Sequence, residues 1–315
     1  MHDKNNRDMI LSASRRTDIP AFYSDWFYNR VKEGFVLVRN PMNFRQISRV
    51  KITPDVVDGI VFWTKNPAPM VERLCELSGY MYYFQFSVTP YGKDVELNLP
   101  QKNTEIISTF KKISQIVGAD RVIWRYDPIL LNEKCTTSYH LRAFEKIATE
   151  LHKYTQRVTI SFIDTKYKGL KGNMNKLNLS NFTTEMQKEL AYSLAAIARK
   201  YGLAIDACAP NIDLQECGVM QACCIDGRLF SRLLSCDLDI EKDKNQRPGC
   251  GCAASIDIGM YNTCLNGCLY CYANYNKAAV AGNFSKHNPL SPLLYGEVCP
   301  EDKITDRDVK VYKQV

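Results

Sequence analysis

The chain has 315 residues, of which 45% are hydrophobic and 24% charged, so it can bury a large core and is not a disordered protein. No apolar run reaches the roughly 18 to 20 residues that span a bilayer, and the polar N-terminus lacks the apolar core of a signal peptide. We therefore expect a cytoplasmic protein without a membrane partner, and the formal charge of +7, spread over mixed-sign stretches, permits a nucleic acid without requiring one.

Short β-branched or aromatic runs alternate with helical patterns along the chain. Each run is followed by a turn, which is typical of repeated βα units. The eight predicted strands are residues 10–14, 35–38, 59–63, 82–88, 121–126, 158–163, 203–207 and 254–258.

Three of the segments between these strands have the apolar spacing of amphipathic helices. Their apolar positions are Ile106, Phe110, Ile113 and Val117 in the first, Leu141, Phe144, Ile147 and Leu151 in the second, and Met186, Leu190, Leu194 and Ile197 in the third. Strand and helix alternate over about 250 residues, which predicts an α/β fold of the (β/α) barrel type, complete or nearly so. A doubly wound sheet is the alternative.

Polar residues follow three of the predicted strands, in residues 12–18, 64–67 and 125–128. In a barrel these strand ends converge on one mouth, where catalytic loops lie. The alternative interpretation is that Arg15, Arg16 and Asp18 form ordinary surface ion pairs. We expect a single barrel domain over residues 1–282 and a proline-punctuated, charged tail over residues 283–315 that wraps around it.

Thirteen cysteines in a protein expected in a reducing compartment favour metal or redox chemistry over a disulfide framework. Cys264, Cys268 and Cys271 lie within eight residues, and Gly267 allows the loop between them to turn tightly. A four-iron cluster has four ligand positions, so three thiolates leave one iron free for a small molecule. Structural zinc is the alternative, although its ligands usually come as Cys-x2-Cys pairs and the nearest downstream histidine is His287.

A second metal site is predicted from cysteines upstream of this loop. Its four thiolates would close a complete Fe-S cluster or a zinc site. The predicted ligands are Cys208, Cys224, Cys250 and Cys252. The alternative is that several of them are buried small hydrophobic residues, as free cysteine usually is.

The run Cys264-x3-Cys268-x2-Cys271, with the aromatic Tyr270 before the last cysteine, resembles the CxxxCxφC motif of the radical S-adenosylmethionine superfamily. The resemblance implies that these thiolates hold a [4Fe-4S] cluster whose fourth iron is chelated by the amino and carboxylate groups of S-adenosylmethionine. It also implies an electron donor of the flavodoxin or ferredoxin type. The reduced cluster would cleave the cofactor to a 5′-deoxyadenosyl radical, which abstracts hydrogen from an unidentified substrate.

Over nearly its full length the chain also resembles a prokaryotic family of unknown function. The shared runs are Ser-Ala-Ser-Arg-Arg-Thr-Asp-Ile-Pro-Ala at residues 12–21, Val-Phe-Trp-Thr-Lys-Asn-Pro at 61–67, Trp-Arg-Tyr-Asp-Pro-Ile-Leu at 124–130, Lys-Asn-Gln-Arg-Pro at 244–248 and Asp-Ile-Gly-Met-Tyr-Asn-Thr-Cys at 257–264. This resemblance implies no biochemical role.

A more distant similarity is to the spore-photolyase-like branch of the radical S-adenosylmethionine proteins. The matching runs are Phe86-Ser87-Val88-Thr89, Leu99-Pro100 and the stretch from Arg125 to Ile129. The likeness implies that Ser87, Arg125 and Asn66 contact S-adenosylmethionine, and Ser14 is expected at the same mouth.

In ordinary members of the superfamily the three-cysteine loop follows the first strand of the barrel, whereas here it follows the last predicted strand, residues 254–258. Circular permutation would explain the difference, because relocated termini leave the neighbourhood of the strands unchanged. The hypothesis requires residues 254–258 to pair with residues 10–14.

Two other functions stay open at the level of sequence. One is a non-catalytic Fe-S or zinc protein that senses redox state or carries electrons. The other is a nucleic-acid repair or modification protein, suggested by the photolyase likeness, the positive charge and a set of aromatic residues that would otherwise be core. These aromatic residues are Trp26, Tyr28, Trp63 and Trp124.

Overall fold

The computed structural model describes residues 9–307, except residues 168, 169, 171, 239 and 248. The strands in chain order are β1 (Met9–Ala13), β2 (Phe35–Arg39), β3 (Gln46–Lys51), β4 (Val57–Thr64), β5 (Tyr82–Ser87), β6 (Val122–Ile129), β7 (Arg157–Phe162), β8 (Ala204–Ala207), β9 (Met220–Gln221), β10 (Ile256–Asp257) and β11 (Lys303–Asp306).

The α-helices are α1 (Ile19–Phe22), α2 (Ser24–Glu33), α3 (Ile107–Val117), α4 (Thr137–Leu151), α5 (Met174–Leu177), α6 (Thr184–Lys200), α7 (Gly227–Leu234) and α8 (Lys277–Phe284). Segments of 3-10 helix cover Ala68–Leu77, Ala119–Arg121 and Gln215–Cys217, and a π-helical turn covers Lys102–Ile106. Within the described ranges, no helix combines the length and apolar character needed to cross a membrane.

The main sheet has eight strands in the order β10-β1-β4-β5-β6-β7-β8-β9, and all neighbours run parallel. Helices connect most of these strands, so the predicted α/β class is confirmed. β10 pairs with β1 through Leu11 opposite Ile256 and Ser12 opposite Asp257. The pairing that the permutation hypothesis requires is therefore present.

The sheet is open, because β9 and β10 stand at its two edges and do not pair with each other in the described part of the chain. Each of these edge strands is only two residues long. The chain between them, residues 222–255, contains α7 and irregular loops and packs on one face of the sheet instead of extending its edge. The expectation of a complete barrel is not met by the described residues.

Residues 35–38, predicted as a strand of the barrel, belong to a separate sheet. β2 runs antiparallel to β3, and β11 pairs parallel with β3. Two consecutive strands can lie parallel in one sheet only if a crossover of a dozen or more residues connects them. The connection between β2 and β3 is much shorter, so these strands form an antiparallel hairpin. The prediction that this segment lies in the barrel was therefore wrong.

The two faces of the main sheet are covered by different parts of the chain. Alternate strand residues such as Phe62, Phe84 and Trp124 pack against the helices in the largest buried cluster. The opposite set of strand residues packs against residues 222–253. On this second face Gly59 is in close contact with the ring of Phe230 from α7, where a side chain at residue 59 would collide with it.

The C-terminal part of the chain packs against its N-terminal part. α8 crosses residue 282, the predicted end of the domain, and β11 joins β3. Asp302 forms a buried ion pair with Arg39 at 2.7 Å. Residues 308–315 of the predicted tail and residues 1–8 of the predicted domain lie outside the described residues.

Candidate functional site

The three-cysteine loop follows β10, at the edge of the sheet where the parallel strands end. Asp257, the last residue of β10, ties this loop to β1: its carboxylate accepts hydrogen bonds from the Ser12 hydroxyl (2.9 Å), the Arg15 backbone N–H (2.8 Å) and the Ser14 hydroxyl. It also accepts from the Gly259 N–H at 3.0 Å. The loop therefore leaves the sheet in a direction fixed by the first strand.

Asp18 holds the loop from the side of α1. Its carboxylate accepts hydrogen bonds from the side-chain amide of Asn266 at 3.0 Å and from the backbone N–H of Lys65 at 2.8 Å. Asn266 lies between two of the cysteines, and Lys65 follows β4. A single buried carboxylate thus connects the cysteine loop to the end of β4, two strands away from β10 in the sheet.

The segment after β5 holds the opposite side of the loop. The Asn98 side chain donates to the Leu265 carbonyl at 2.7 Å, and the Leu269 N–H donates to the Val95 carbonyl at 2.9 Å. Gly267 has φ of 67°, in the left-handed region, which confirms that the loop turns at this glycine. A Cβ at this position would also lie 3.0 Å from the Asn98 side chain.

Glu96 forms the most buried ionic group near the loop, with 1% of its surface exposed. Its carboxylate accepts hydrogen bonds from Lys65 Nζ (2.9 Å), Thr89 Oγ1 (2.8 Å), Lys102 Nζ and the hydroxyl of Tyr270. Burial alone would raise the pKa of Glu96, but the ammonium groups of Lys65 and Lys102 lower it to about 2. Glu96 is therefore a carboxylate at neutral pH, and it holds the aromatic residue that precedes Cys271.

The thiols of Cys264, Cys268 and Cys271, hereafter the loop cysteines, are half-buried. Burial raises the pKa of Cys264 to about 12 and raises the pKa of the other two above the usual range. These groups are neutral thiols as they stand, so metal binding would have to release their protons.

The donors of the loop are three thiols. Across the described ranges, no three His, Cys, Asp or Glu side chains are grouped as the ligands of one metal ion. The thiolates of a cube-shaped cluster bind separate irons and need not converge on one point. Three soft thiolates in a loop fixed by Asp18, Asn98 and Glu96 suit a cluster with one open iron.

Of the residues predicted to contact the cofactor, three lie at or just after the ends of their strands, and Arg125 lies in the middle of β6. Ser14 directly follows β1 and donates to Asp257, and the Asn66 side chain accepts from the Ala68 N–H at 3.3 Å. Ser87 ends β5 and is paired in register with Arg125 on β6. The fold therefore brings these residues to one edge of the sheet, and their role toward S-adenosylmethionine stays a prediction.

Arg125 is buried, with 4% of its surface exposed, and its guanidinium already has protein partners. It donates to Gln85 Oε1 at 3.1 Å, to Cys224 Sγ at 3.0 Å and to the carboxylate of Asp127. It also lies over the ring of Trp63, 5.2 Å from the ring centre. These contacts connect the predicted mouth to the second group of cysteines.

The four cysteines predicted as a second site, hereafter the inner cysteines, are close together. Cys224 Sγ lies 3.3 Å from Cys208 Sγ, and the Cys252 side chain is near enough to interact with those of Cys224 and Cys250. Cys224, Cys250 and Cys252 are buried, and Cys208 is half-buried. The fold therefore brings together all four residues that the sequence analysis selected.

Asp257 and Glu96 are among the residues that hold the loop and that the sequence analysis did not single out. Asp257 is the first residue of the shared run at residues 257–264, and its place in that run could have marked it as a candidate. Glu96 lies in a loop without a motif, and its contact with Tyr270 spans 174 residues. No local pattern in the sequence indicates that contact.

Two cavities flank the sheet. A cavity of about 620 Å³ is lined by Glu96, Thr89 and Lys102 and extends to Arg142 on α4. A cavity of about 350 Å³ lies at the opposite edge, where Val122 and Ala204 begin their strands, and shares no lining residue with either group of cysteines. The larger of these two reaches the cysteine loop only through Glu96, and none of its lining residues belongs to the loop.

A family model described as a domain of unknown function, DUF1848, matches residues 10–273. The chain belongs to this family. In this DUF1848 protein, three of the runs noted in the sequence meet around the loop cysteines, through Asp18, Lys65 and Asp257. None of the curated proteins matches the sequence.

Among solved structures, a "putative alpha-L-fucosidase" from Bacteroides thetaiotaomicron is similar over 73% of this chain and 84% of its own. The two sequences are 11% identical and the TM-score is 0.27. A similarity at this level supports no conclusion about the fold or the activity of the DUF1848 protein.

Proposed function

We propose that this protein is a radical S-adenosylmethionine enzyme in which Cys264, Cys268 and Cys271 hold a [4Fe-4S] cluster. The observation that supports the proposal is the loop itself, with three half-buried thiols in eight residues at the carboxyl end of β10. Asp18, Asn98 and Glu96 fix this loop from two sides. The loop has no fourth cysteine, which leaves one iron for the cofactor.

When bound, the cluster supplies the electron that cleaves the sulfonium of S-adenosylmethionine to a 5′-deoxyadenosyl radical. The protein supplies orientation and exclusion of water. Glu96 pairs through its backbone with Cys268, and its carboxylate accepts a hydrogen bond from the Tyr270 hydroxyl. It therefore fixes the chain at Cys268 and just before Cys271. The rings of Tyr272 and Tyr167 stack 5.3 Å apart beside Cys271, and we assign to them the shielding of this thiol from solvent.

Ser14, Asn66, Ser87 and Arg125 are assigned to the cofactor pocket. Ser14 follows β1, Asn66 follows β4, Ser87 ends β5, and Arg125 lies in β6 opposite Ser87. These four strands lie next to β10 in that order across the sheet. Arg125 is the most distant of them from the loop in strand order, and its donors already have protein partners. We therefore assign to Arg125 the positioning of Gln85 and Asp127 in the pocket wall.

The proposal includes a circular permutation of the usual radical S-adenosylmethionine barrel. The cysteine loop would follow the strand that is first in ordinary members and last in this chain. The parallel pairing of β10 with β1 supports this order, since it makes the two strands neighbours although 245 residues separate Ser12 from Asp257.

Anaerobic reconstitution with iron and sulfide tests the proposal. The protein should bind about four irons at the loop cysteines and, with a reductant, convert S-adenosylmethionine to 5′-deoxyadenosine. Replacing Cys264, Cys268 and Cys271 by alanine should abolish both, whereas replacing the exposed Cys75 and Cys299 by serine should change neither.

Two outcomes would contradict the assignment. Protein with a bound cluster and bound S-adenosylmethionine that releases no 5′-deoxyadenosine under reduction is not a radical enzyme of this class. Protein with a cluster that does not bind S-adenosylmethionine would instead be a non-catalytic Fe-S protein.

A further inference from the structure

We propose that Cys208, Cys224, Cys250 and Cys252 bind one zinc ion in a structural site. These inner cysteines come from three separate segments: Cys208 follows β8, Cys224 precedes α7, and Cys250 and Cys252 precede β10. The proposal concerns a different set of residues from the loop cysteines and does not rest on the proposed radical chemistry.

The proximity of the thiols is the first argument. Cys224 donates to Cys208 Sγ at 3.3 Å, and the Cys252 side chain is near enough to interact with those of Cys224 and Cys250, so the four are neighbours in a chain. In the described residues no three of them surround one point as metal ligands. Binding therefore requires their side chains to move from the positions they have in this structure.

The distance between two of the sulfur atoms favours one ion over a cluster. Four sulfurs placed tetrahedrally at about 2.3 Å from zinc are about 3.8 Å from one another. The Cys208 and Cys224 sulfurs are 3.3 Å apart, close to that separation. The thiolates of a four-iron cluster bind separate irons and are farther apart, so this pair suits a single ion better.

Neighbouring donors offset the charge of such a site. Four thiolates and one Zn²⁺ carry a net charge of −2, which needs hydrogen-bond donors when it is buried. Arg125 donates to Cys224 Sγ at 3.0 Å, and the Ile225 N–H lies 3.5 Å from Cys252 Sγ. Arg125 also pairs with Asp127, which neutralises part of its positive charge. Toward the site it therefore acts mainly as a hydrogen-bond donor.

Gly251 allows the Cys-x-Cys segment to reach this position. A Cβ at residue 251 would lie 2.7 Å from Cys223 Sγ, too close for any other residue without a shift. Zinc binding forms four zinc–sulfur bonds and releases four thiol protons, and it transfers no electron. The ion would fasten residues 222–252 onto the open face of the sheet.

Metal analysis of a variant without the loop cysteines tests the proposal. The Cys264→Ala, Cys268→Ala, Cys271→Ala protein, purified from zinc-supplemented culture, should contain about one zinc per chain. Adding Cys224→Ser and Cys252→Ser should lower the zinc content at least about tenfold, because two of four ligands are lost. Adding Cys217→Ser and Cys236→Ser instead should leave the zinc content unchanged, since neither residue belongs to the chain of neighbours.

X-ray absorption at the zinc edge makes the test independent of whether the serine variant folds. The variant without loop cysteines should show four sulfur neighbours at about 2.3 Å. Iron with sulfide in place of zinc, fewer than four sulfur neighbours, or a Cys208–Cys224 disulfide in protein purified under reducing conditions would each overturn the proposal.

Discussion

The loop cysteines and the inner cysteines are built in opposite ways. The loop cysteines come from eight consecutive residues, are half-buried and are positioned by other residues, such as Glu96 and Asp18. The inner cysteines come from three distant segments, are mostly buried and lie near one another. A site made within one loop can be recognised from its spacing and depends on the fold only for its anchors. A site assembled from distant segments requires the fold and also stabilises it.

The largest expected effect is a difference in the free energy of unfolding between variants of the inner cysteines and variants of the loop cysteines. Replacing Cys224 and Cys252 by serine should lower the free energy of unfolding by at least about 5 kcal/mol, because zinc binding contributes roughly 10 to 16 kcal/mol in small zinc domains. Replacing the three loop cysteines by alanine should lower it by less than about 1.5 kcal/mol, as their side chains are half-buried. Urea unfolding of zinc-loaded protein measures both, and equal losses would remove the contrast between the groups.

The next effect tests the anchors of the loop. Glu96→Gln should destabilise the protein by about 3 to 5 kcal/mol, because Lys65 and Lys102 then remain largely buried without their carboxylate. The exposed Glu72 also pairs with a lysine, and Glu72→Gln should cost less than about 1 kcal/mol.

Glu96→Gln should also affect the two groups of cysteines differently. Alkylation of Cys268 and Cys271 should become faster, since Tyr270 loses the carboxylate that holds it, whereas alkylation of the inner cysteines should not change. Mass spectrometry of alkylated peptides measures this. Equal acceleration in both groups would show that the variant loosens the whole protein rather than the loop.

A smaller effect tests the packing beside the inner cysteines. Gly59→Ala should destabilise the protein by about 1 to 3 kcal/mol, because the new methyl group collides with the ring of Phe230. Adding Phe230→Leu should recover part of that loss in a double-mutant cycle. Gly79→Ala, where a Cβ meets Pro54 at an ordinary 3.4 Å, is the control and should change stability by less than about 0.5 kcal/mol. Additive losses in the cycle would contradict the contact.

The smallest effect concerns a single hydrogen bond at the loop. Tyr272→Phe removes the hydroxyl that donates to the Arg15 carbonyl at 2.7 Å but keeps the ring stacked on Tyr167. The expected loss is about 0.5 to 1.5 kcal/mol, measured by urea unfolding against Tyr192→Phe on an exposed tyrosine. Equal results for the two variants would mean that this bond does not hold the loop.

Local patterns predicted much of the fold. The apolar spacing from Ile106 to Val117 and the following Gly118 agree with α3, whose C-terminal cap is Gly118. β3 was not predicted, because three of its six residues are exposed and its sequence is largely polar. Nor was β11, whose residues are all exposed and which exists because it pairs with β3. Such strands depend on partners far along the chain, which a local pattern cannot show.

The same distinction applies to the candidate site. The spacing of the loop cysteines could be recognised in the sequence because they belong to one turn. The residues that hold them could not be inferred, since Asp18 meets Asn266 across 248 residues and Glu96 meets Tyr270 across 174. The fold places the inner cysteines near one another, and their role as metal ligands stays a proposal.

The pairing of β10 with β1 has a consequence for how the chain folds during synthesis. Ser12 and Asp257 are 245 residues apart, and translation at about 5 to 20 residues per second takes roughly 12 to 50 seconds to cover that distance. Throughout that interval the outer edge of β1 has no partner strand. The loop cysteines emerge later still, so the cluster of the proposed function could be inserted only when nearly the whole chain has been made.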